Sequence, residues 1–142
     1  VQKAVERLPV EIVRNENWQD GLGSSIAAGV TFVEKNHPKV EAIVILLCDQ
    51  PLVDATFIES LIAAYAKNKK PIVAAEYAGG LGVPALFDRS YFPALQQLSA
   101  DQGAKKIMQQ HLDDVFSISF PEGKLDLDTP SDYQAFLNKT RS

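Results

Sequence analysis

The run AIVILLC at residues 42–48 constrains this chain more than any other stretch. It is continuous, apolar and rich in β-branched side chains. A strand buried on both faces reads this way, and such strands belong to parallel sheets with helices on either side. The run falls far short of the ~20 residues a membrane helix needs.

Around it, strands and helices alternate. Residues 2–8 read as the tail of a helix and VEIVR (10–14) as a short strand. Ser24 or Ser25 is the expected cap of a helix that presents Ile26, Val30 and Val33 on one face and closes at Pro38. Asp54 is the expected cap of a helix over 55–68, with Phe57, Leu61 and Tyr65 on one side. PIVAAEY (71–77) reads as a strand, and AGGLGVPALF (78–87) as glycines leading into a short strand. Asp88 and Pro93 frame a helix through Leu98, and residues 101–112 read as a helix capped by Asp101. DVFSISF (114–120) is an expected strand, and EG (122–123) an expected turn. LDLD (125–128) alternates, leucines one way and aspartates the other, before a last helix from Pro130 to Asn138. The pattern predicts one α/β domain over residues 1–142, three layers deep, with a mostly parallel sheet. The chain opens within a helix, whereas an α/β domain usually begins with a strand near the sheet centre. An N-terminal strand–loop is therefore expected to be missing.

Charge narrows the partners. A net charge of −4 and a pI near 5.1 disfavour binding to nucleic acid through bulk electrostatics. The basic cluster KNKK (67–70) sits at a predicted helix end, where the dipole favours cations. The single cysteine, Cys48, cannot staple a fold and suits a reducing compartment. With no signal peptide at the start, the expected location is cytoplasmic, away from membranes.

Three stretches carry candidate chemistry. In LLCDQPLV (46–53) a buried strand ends and Asp49 follows at once. Ligands of open α/β sheets bind at the carboxyl ends of strands, and a carboxylate there suits Mg²⁺, which takes few protein ligands. In LDLDTPSDY (125–133), Thr129, Pro130 and Asp132 form a capping box variant and need no further role. Asp126 and Asp128 share one face and repel each other, which either a cation or exposure to solvent would relieve. In GLGSSI (21–26) glycines precede a helix start, a place where backbone N–H groups can approach a ligand. No P-loop is present. GLGVPA (80–85) fits a dinucleotide fingerprint only on paper, because Pro84 and the residues after it favour a strand. His37 and His111 stand alone, with no metal-ligand spacing around them.

Five motifs in order, N-x-x-W-x-x-G-L-x-S-S-I, L-x-C-D-Q-P, G-x-P-x-L-F, D-x-G-A-K and L-D-x-D-T-P-x-D-Y, resemble the molybdenum-cofactor nucleotidyltransferases. Within the MobA-like NTP transferase superfamily, the chain is most similar to the cytidylyltransferase branch. The resemblance implies a Rossmann-like three-layer α/β/α fold and transfer of CMP from CTP to the terminal phosphate of molybdopterin, with release of pyrophosphate. It implies Mg²⁺ held by Asp49 and Asp128, the catalytic pair, with Asp49 also on the nucleotide. Gly21, Leu22, Gly23, Ser24 and Ser25 would lie against the nucleotide. Gly82, Val83, Pro84, Asp101, Gly103 and Lys105 would line the pterin side. A molybdoenzyme would receive the cofactor. The family's glycine-rich opening loop has no counterpart here, so the chain corresponds to the C-terminal two-thirds of such a domain. Val83 and Lys105 stand where many relatives carry histidine and arginine. Open alternatives are GTP or another phosphorylated acceptor on the same fold, and a non-catalytic fragment or partner-binding module.

Overall fold

The computed structural model describes residues 2–100 and 102–140. Asp101, expected both as a helix cap and on the pterin side, lies outside the described residues. Helix α1 (Gln2–Val5) is followed by an irregular stretch and α2 (Leu22–Asn36). Then come β1 (Ala42–Ile45), α3 (Ala55–Asn68), β2 (Ile72–Tyr77) and β3 (Gly80–Asp88). The chain continues through α4 (Phe92–Gln96), α5 (Ala104–Gln110), β4 (Val115–Ser119) and α6 (Pro130–Thr140). Among the described residues, no helix is long and apolar enough to cross a membrane.

The four strands form one mixed sheet in the order β1-β3-β2-β4. Only β2 and β4 pair in parallel, while β3 runs antiparallel to both β1 and β2. The expectation of a mostly parallel sheet is corrected by the β2–β3 connection. Tyr77 pairs with Gly80, so only Ala78 and Gly79 make the turn, with φ of 51° and 75°. Two positive φ values give the tight turn that matches the twist of a hairpin. A turn this short cannot cross over the sheet, so β3 returns antiparallel beside β2. β3 is also long, nine residues where a short strand was expected.

Two further expectations change. The run 42–48 yields a strand of only four half-buried residues, paired on one side with β3. Among the described residues β1 is a sheet edge, and Leu46 just beyond it is exposed. VEIVR (10–14) forms no strand, because it meets no ladder partner. Glu11 in that stretch instead pairs with His37 at the end of α2, at 2.5 Å. LDLD likewise lacks strand pairing, although its burial alternates as predicted, leucines half-buried and aspartates exposed.

Residue alternation splits the sheet into two faces. Ile72, Ala74, Ala85 and Phe87 point to one cluster with Val30, Phe92, Leu95 and Met108, from α2, α4 and α5. Val73 and Leu86 point to the other, against Leu61, Phe57 and Tyr65 of α3. The predicted face of α2 is correct: Val30 is buried, and Ile26 and Val33 pack beside it. Asp54 caps α3 as predicted, accepting from the Phe57 N–H at 2.8 Å. The capping box of α6 also forms, with Thr129 N–H donating to Asp132 at 2.8 Å and Asp132 N–H to Thr129 Oγ1 at 3.2 Å. The Thr129 hydroxyl, donating to Asp132 Oδ2 at 2.7 Å, and then the Thr129 N–H hold the Asp132 carboxyl below its ordinary value.

Candidate functional site

The segment 15–26 is a loop locked by its own polar groups. Gly21, at φ 89°, turns the chain into α2. The helix therefore starts two residues before Ser24, and neither serine is its cap. The Ser24 hydroxyl lies 2.8 Å from the Gly21 carbonyl and 2.9 Å from the Asn17 carbonyl, both acceptors for its one proton. Asn15 Nδ2 donates to Ser24 Oγ at 2.8 Å and to Ser25 Oγ at 3.0 Å. Ser24 is thus occupied in holding the loop, while Ser25 keeps a hydroxyl proton to offer. Gly23 is buried by protein: a Cβ there would lie 2.7 Å from the Gln102 carbonyl oxygen and 2.9 Å from Ser99 N. Its N–H donates to the Ala100 carbonyl at 3.0 Å. Asn15 heads its motif, yet sequence reasoning did not single it out.

A cavity of about 1010 Å³ opens beside this loop. Leu22 and Ser25 line one side, and Gly82, Val83, Gly103 and Lys105 another. Six of the expected nucleotide and pterin residues thus border one space, while Gly21, Gly23, Ser24 and Pro84 do not line it. Gly103 caps α5 and packs toward Leu22, whose Cδ2 lies 3.4 Å from where a Cβ would be. Pro84 is fully buried after a cis peptide bond from Val83.

Asp49 and Asp128 do not line this cavity. They form a second group with Asp126. The N–H of Leu127 donates to the Asp49 carbonyl at 2.9 Å, which joins the segment after β1 to the LDLD segment. Asp126 registers the proximity: partial burial, and then the charges of Asp49 and Asp128, hold its carboxyl above its ordinary value. Asp49 Oδ1 is buried and has no hydrogen-bond partner. Among the described residues no three His, Cys, Asp or Glu side chains are arranged to hold a metal together. A pair of carboxylates completed by water and phosphate remains the arrangement that suits Mg²⁺. An orphaned buried carboxylate oxygen amid like charge fits such a cation.

Asp49 is followed by Gln50, only 6% exposed, whose Nε2 donates to the Gly123 carbonyl at 2.9 Å and to Tyr77 Oη at 3.3 Å. Tyr77 lines the cavity, so this contact reaches from the cavity wall to the residue beside Asp49. Gln50 lies in the L-x-C-D-Q-P motif, which was the available signal; Tyr77 had none.

The geometry agrees with what the chain resembles. Residues 1–115 match the model of the MobA-like NTP transferase domain. The purine catabolism protein PucB of Bacillus subtilis is 27% identical over 83% of this chain and 57% of its own length. The nicotine blue oxidoreductase of Paenarthrobacter nicotinovorans is 31% identical over 72% of this chain and 51% of its own. The crystal structure of Rv0371c from Mycobacterium tuberculosis in complex with manganese superposes with a TM-score of 0.61 at 29% identity, covering 77% of this chain and 58% of that one. The chain thus spans little more than half the length of these relatives. With four-fifths of its residues inside the family model, the chain belongs to the MobA-like NTP transferase domain family.

Proposed function

We propose that this chain is the body of a divalent-metal-dependent nucleotidyltransferase that moves CMP from CTP to the terminal phosphate of molybdopterin. The observation that carries this reading is the buried, unpartnered Asp49 Oδ1 beside Asp126, in a segment bonded to Asp49 through Leu127. Asp49 and Asp128 would hold Mg²⁺, and the manganese complex of Rv0371c supports a divalent cation in this fold. A cation held there would supply charge neutralisation for the triphosphate and the leaving pyrophosphate.

The protein's own part is positioning. Gly21, Leu22, Gly23, Ser24 and Ser25 face the nucleotide side, with Ser25 as the hydroxyl donor and Ser24 and Gly23 shaping the loop. Gly82, Val83, Gly103 and Lys105, which line the cavity, would form the acceptor side together with the buried Pro84, and Lys105 would supply positive charge for a phosphate. An oxygen of the acceptor phosphate attacks the α-phosphorus of CTP, and the bond from that phosphorus to the pyrophosphate oxygen breaks. The attacking phosphate is already ionised, so no general base is needed. A molybdoenzyme is the proposed recipient of the product, and the cytoplasm the proposed setting.

A second reading keeps the metal and fold but changes the base or the acceptor. The similarity to the purine catabolism protein PucB and to the nicotine blue oxidoreductase, relatives named for other processes, favours it. Thermal unfolding with Mg²⁺ and either CTP or GTP separates the two. A ligand at about 100 times its dissociation constant adds ~2.7 kcal/mol, several degrees for a domain of this size. A rise with CTP alone supports the first reading, a rise with GTP the second. No rise with either overturns nucleotide binding by this chain.

A further inference from the structure

We infer that Tyr77 and Gln50 form a positioning brace that holds the carboxylate segments in register with the acceptor wall of the cavity. The inference rests on the proposed metal site. Tyr77 ends β2, and its ring lies against two glycines. A Cβ at Gly82 would sit 2.3 Å from Tyr77 Oη, and one at Gly123 would sit 2.7 Å from Tyr77 Cδ1. Both glycines are therefore places where only a missing side chain lets the ring in. The hydroxyl donates to the Val83 carbonyl at 3.0 Å and accepts from Gln50 Nε2. The same Nε2 donates to the Gly123 carbonyl at 2.9 Å.

Three segments meet on this pair. Gln50 directly follows Asp49, Gly123 precedes Asp126 by three residues, and Val83 lies on the cavity wall. Both amide protons of Gln50 are engaged across segments, and its Oε1 is buried without a partner. A buried amide has no water to fall back on, so its bonds fix geometry strongly. Neither residue touches the reacting atoms in this scheme. Their effect is on where Asp49 and Asp128 stand relative to Val83.

The test is a manganese titration of the unsubstituted chain and of Tyr77→Phe, read as loss of the free Mn²⁺ electron paramagnetic resonance signal. Tyr77→Phe keeps the ring and removes only the hydroxyl. The expected result is Mn²⁺ affinity weakened by about tenfold, as for outer-shell partners of metal ligands. The unfolding midpoint in the absence of metal should barely move, while amide exchange at 82–83 and 123–128 quickens. Should Tyr77→Phe fail to fold, Gln50→Met, which keeps bulk and removes both donors, is read the same way. A variant that binds Mn²⁺ as tightly as the unsubstituted chain overturns the brace, and so does a lowered midpoint with unchanged affinity. An unsubstituted chain that binds no Mn²⁺ overturns the metal reading itself, and the brace with it.

Discussion

The Leu127 N–H and the Asp49 carbonyl are hydrogen-bonded at 2.9 Å, across a sequence gap that spans most of the sheet. This bond places Asp49, in the segment after β1, beside the two aspartates that precede α6. Leu125 and Leu127 turn partly inward, so Asp126 and Asp128 face outward together. Like charges gathered this way repel unless something neutralises them, and at Asp126 burial first, then the charges of Asp49 and Asp128, disfavour the charged form.

Asp49→Asn and Asp128→Asn should each abolish Mg²⁺-dependent pyrophosphate release in the complete protein while leaving it folded. The amide keeps the shape and removes the charge that draws the cation. Pyrophosphate release and thermal unfolding, measured side by side, check this. Activity like that of the unsubstituted protein in either variant would remove that residue from the metal site.

The Tyr65 hydroxyl donates to Asp88 Oδ2. That hydrogen bond, then burial and the charges of Asp88 and Glu41, push the phenol from 10.0 up to about 12. Burial works to raise the Asp88 carboxyl, but the Tyr65 hydroxyl and the Ser90 N–H and hydroxyl outweigh it and hold it below its ordinary 3.8. The raised phenol contributes fully below pH 10.0 and loses its contribution as pH rises through about 12. The lowered carboxyl contributes fully above pH 3.8 and loses its contribution as pH falls through its folded value. Tyr65→Phe should therefore cost about 1 kcal/mol across the neutral range, with the cost shrinking at both extremes. Denaturant midpoints across pH check it; a cost that grows toward acid would contradict the pairing.

Gly23→Ala should destabilise the chain by about 1–3 kcal/mol, because the new methyl meets backbone at Gln102 and Ser99 that cannot rotate away. Gly29 is the control, since a Cβ there meets nothing within 4 Å. In Gly29→Ala the alanine's better helix propensity should leave stability unchanged or improved. Urea unfolding of the two variants gives the comparison.

Asn15→Ala removes both bonds to the serine hydroxyls. The site is partly exposed, so the stability loss should stay near 1 kcal/mol. Amide exchange over residues 15–25 should quicken more than in the sheet. Uniform quickening across the chain would show that Asn15 supports the whole fold rather than the loop.

Local chemistry was the legible part of this chain. The Asp54 cap and the Thr129–Asp132 box form within four residues of sequence, and both stand as read. The face of α2 followed from helical spacing for the same reason. What escaped depends on distant partners. The direction of β3 turned on a two-residue hairpin whose first position is alanine at φ 51°, an uncommon choice that the sequence does not announce. The apolar run at 42–48 looked doubly buried because hydrophobicity records what a strand tolerates, not which edges are covered. Gly23 reads as open space in the sequence, whereas Ser99, Ala100 and Gln102 pack against it. The Gln50 bonds reach Tyr77 across 27 residues and Gly123 across 73, beyond any local pattern.

The central claim, that Asp49 anchors a divalent cation used with a nucleotide, is tested most directly by Mn²⁺ titration in the presence of CTP, for the unsubstituted chain and Asp49→Asn. The account predicts saturable binding by the unsubstituted chain and at least a tenfold loss in the variant, in line with removal of a metal ligand, while both unfold at similar temperatures. Equal Mn²⁺ affinity in the two proteins would contradict it.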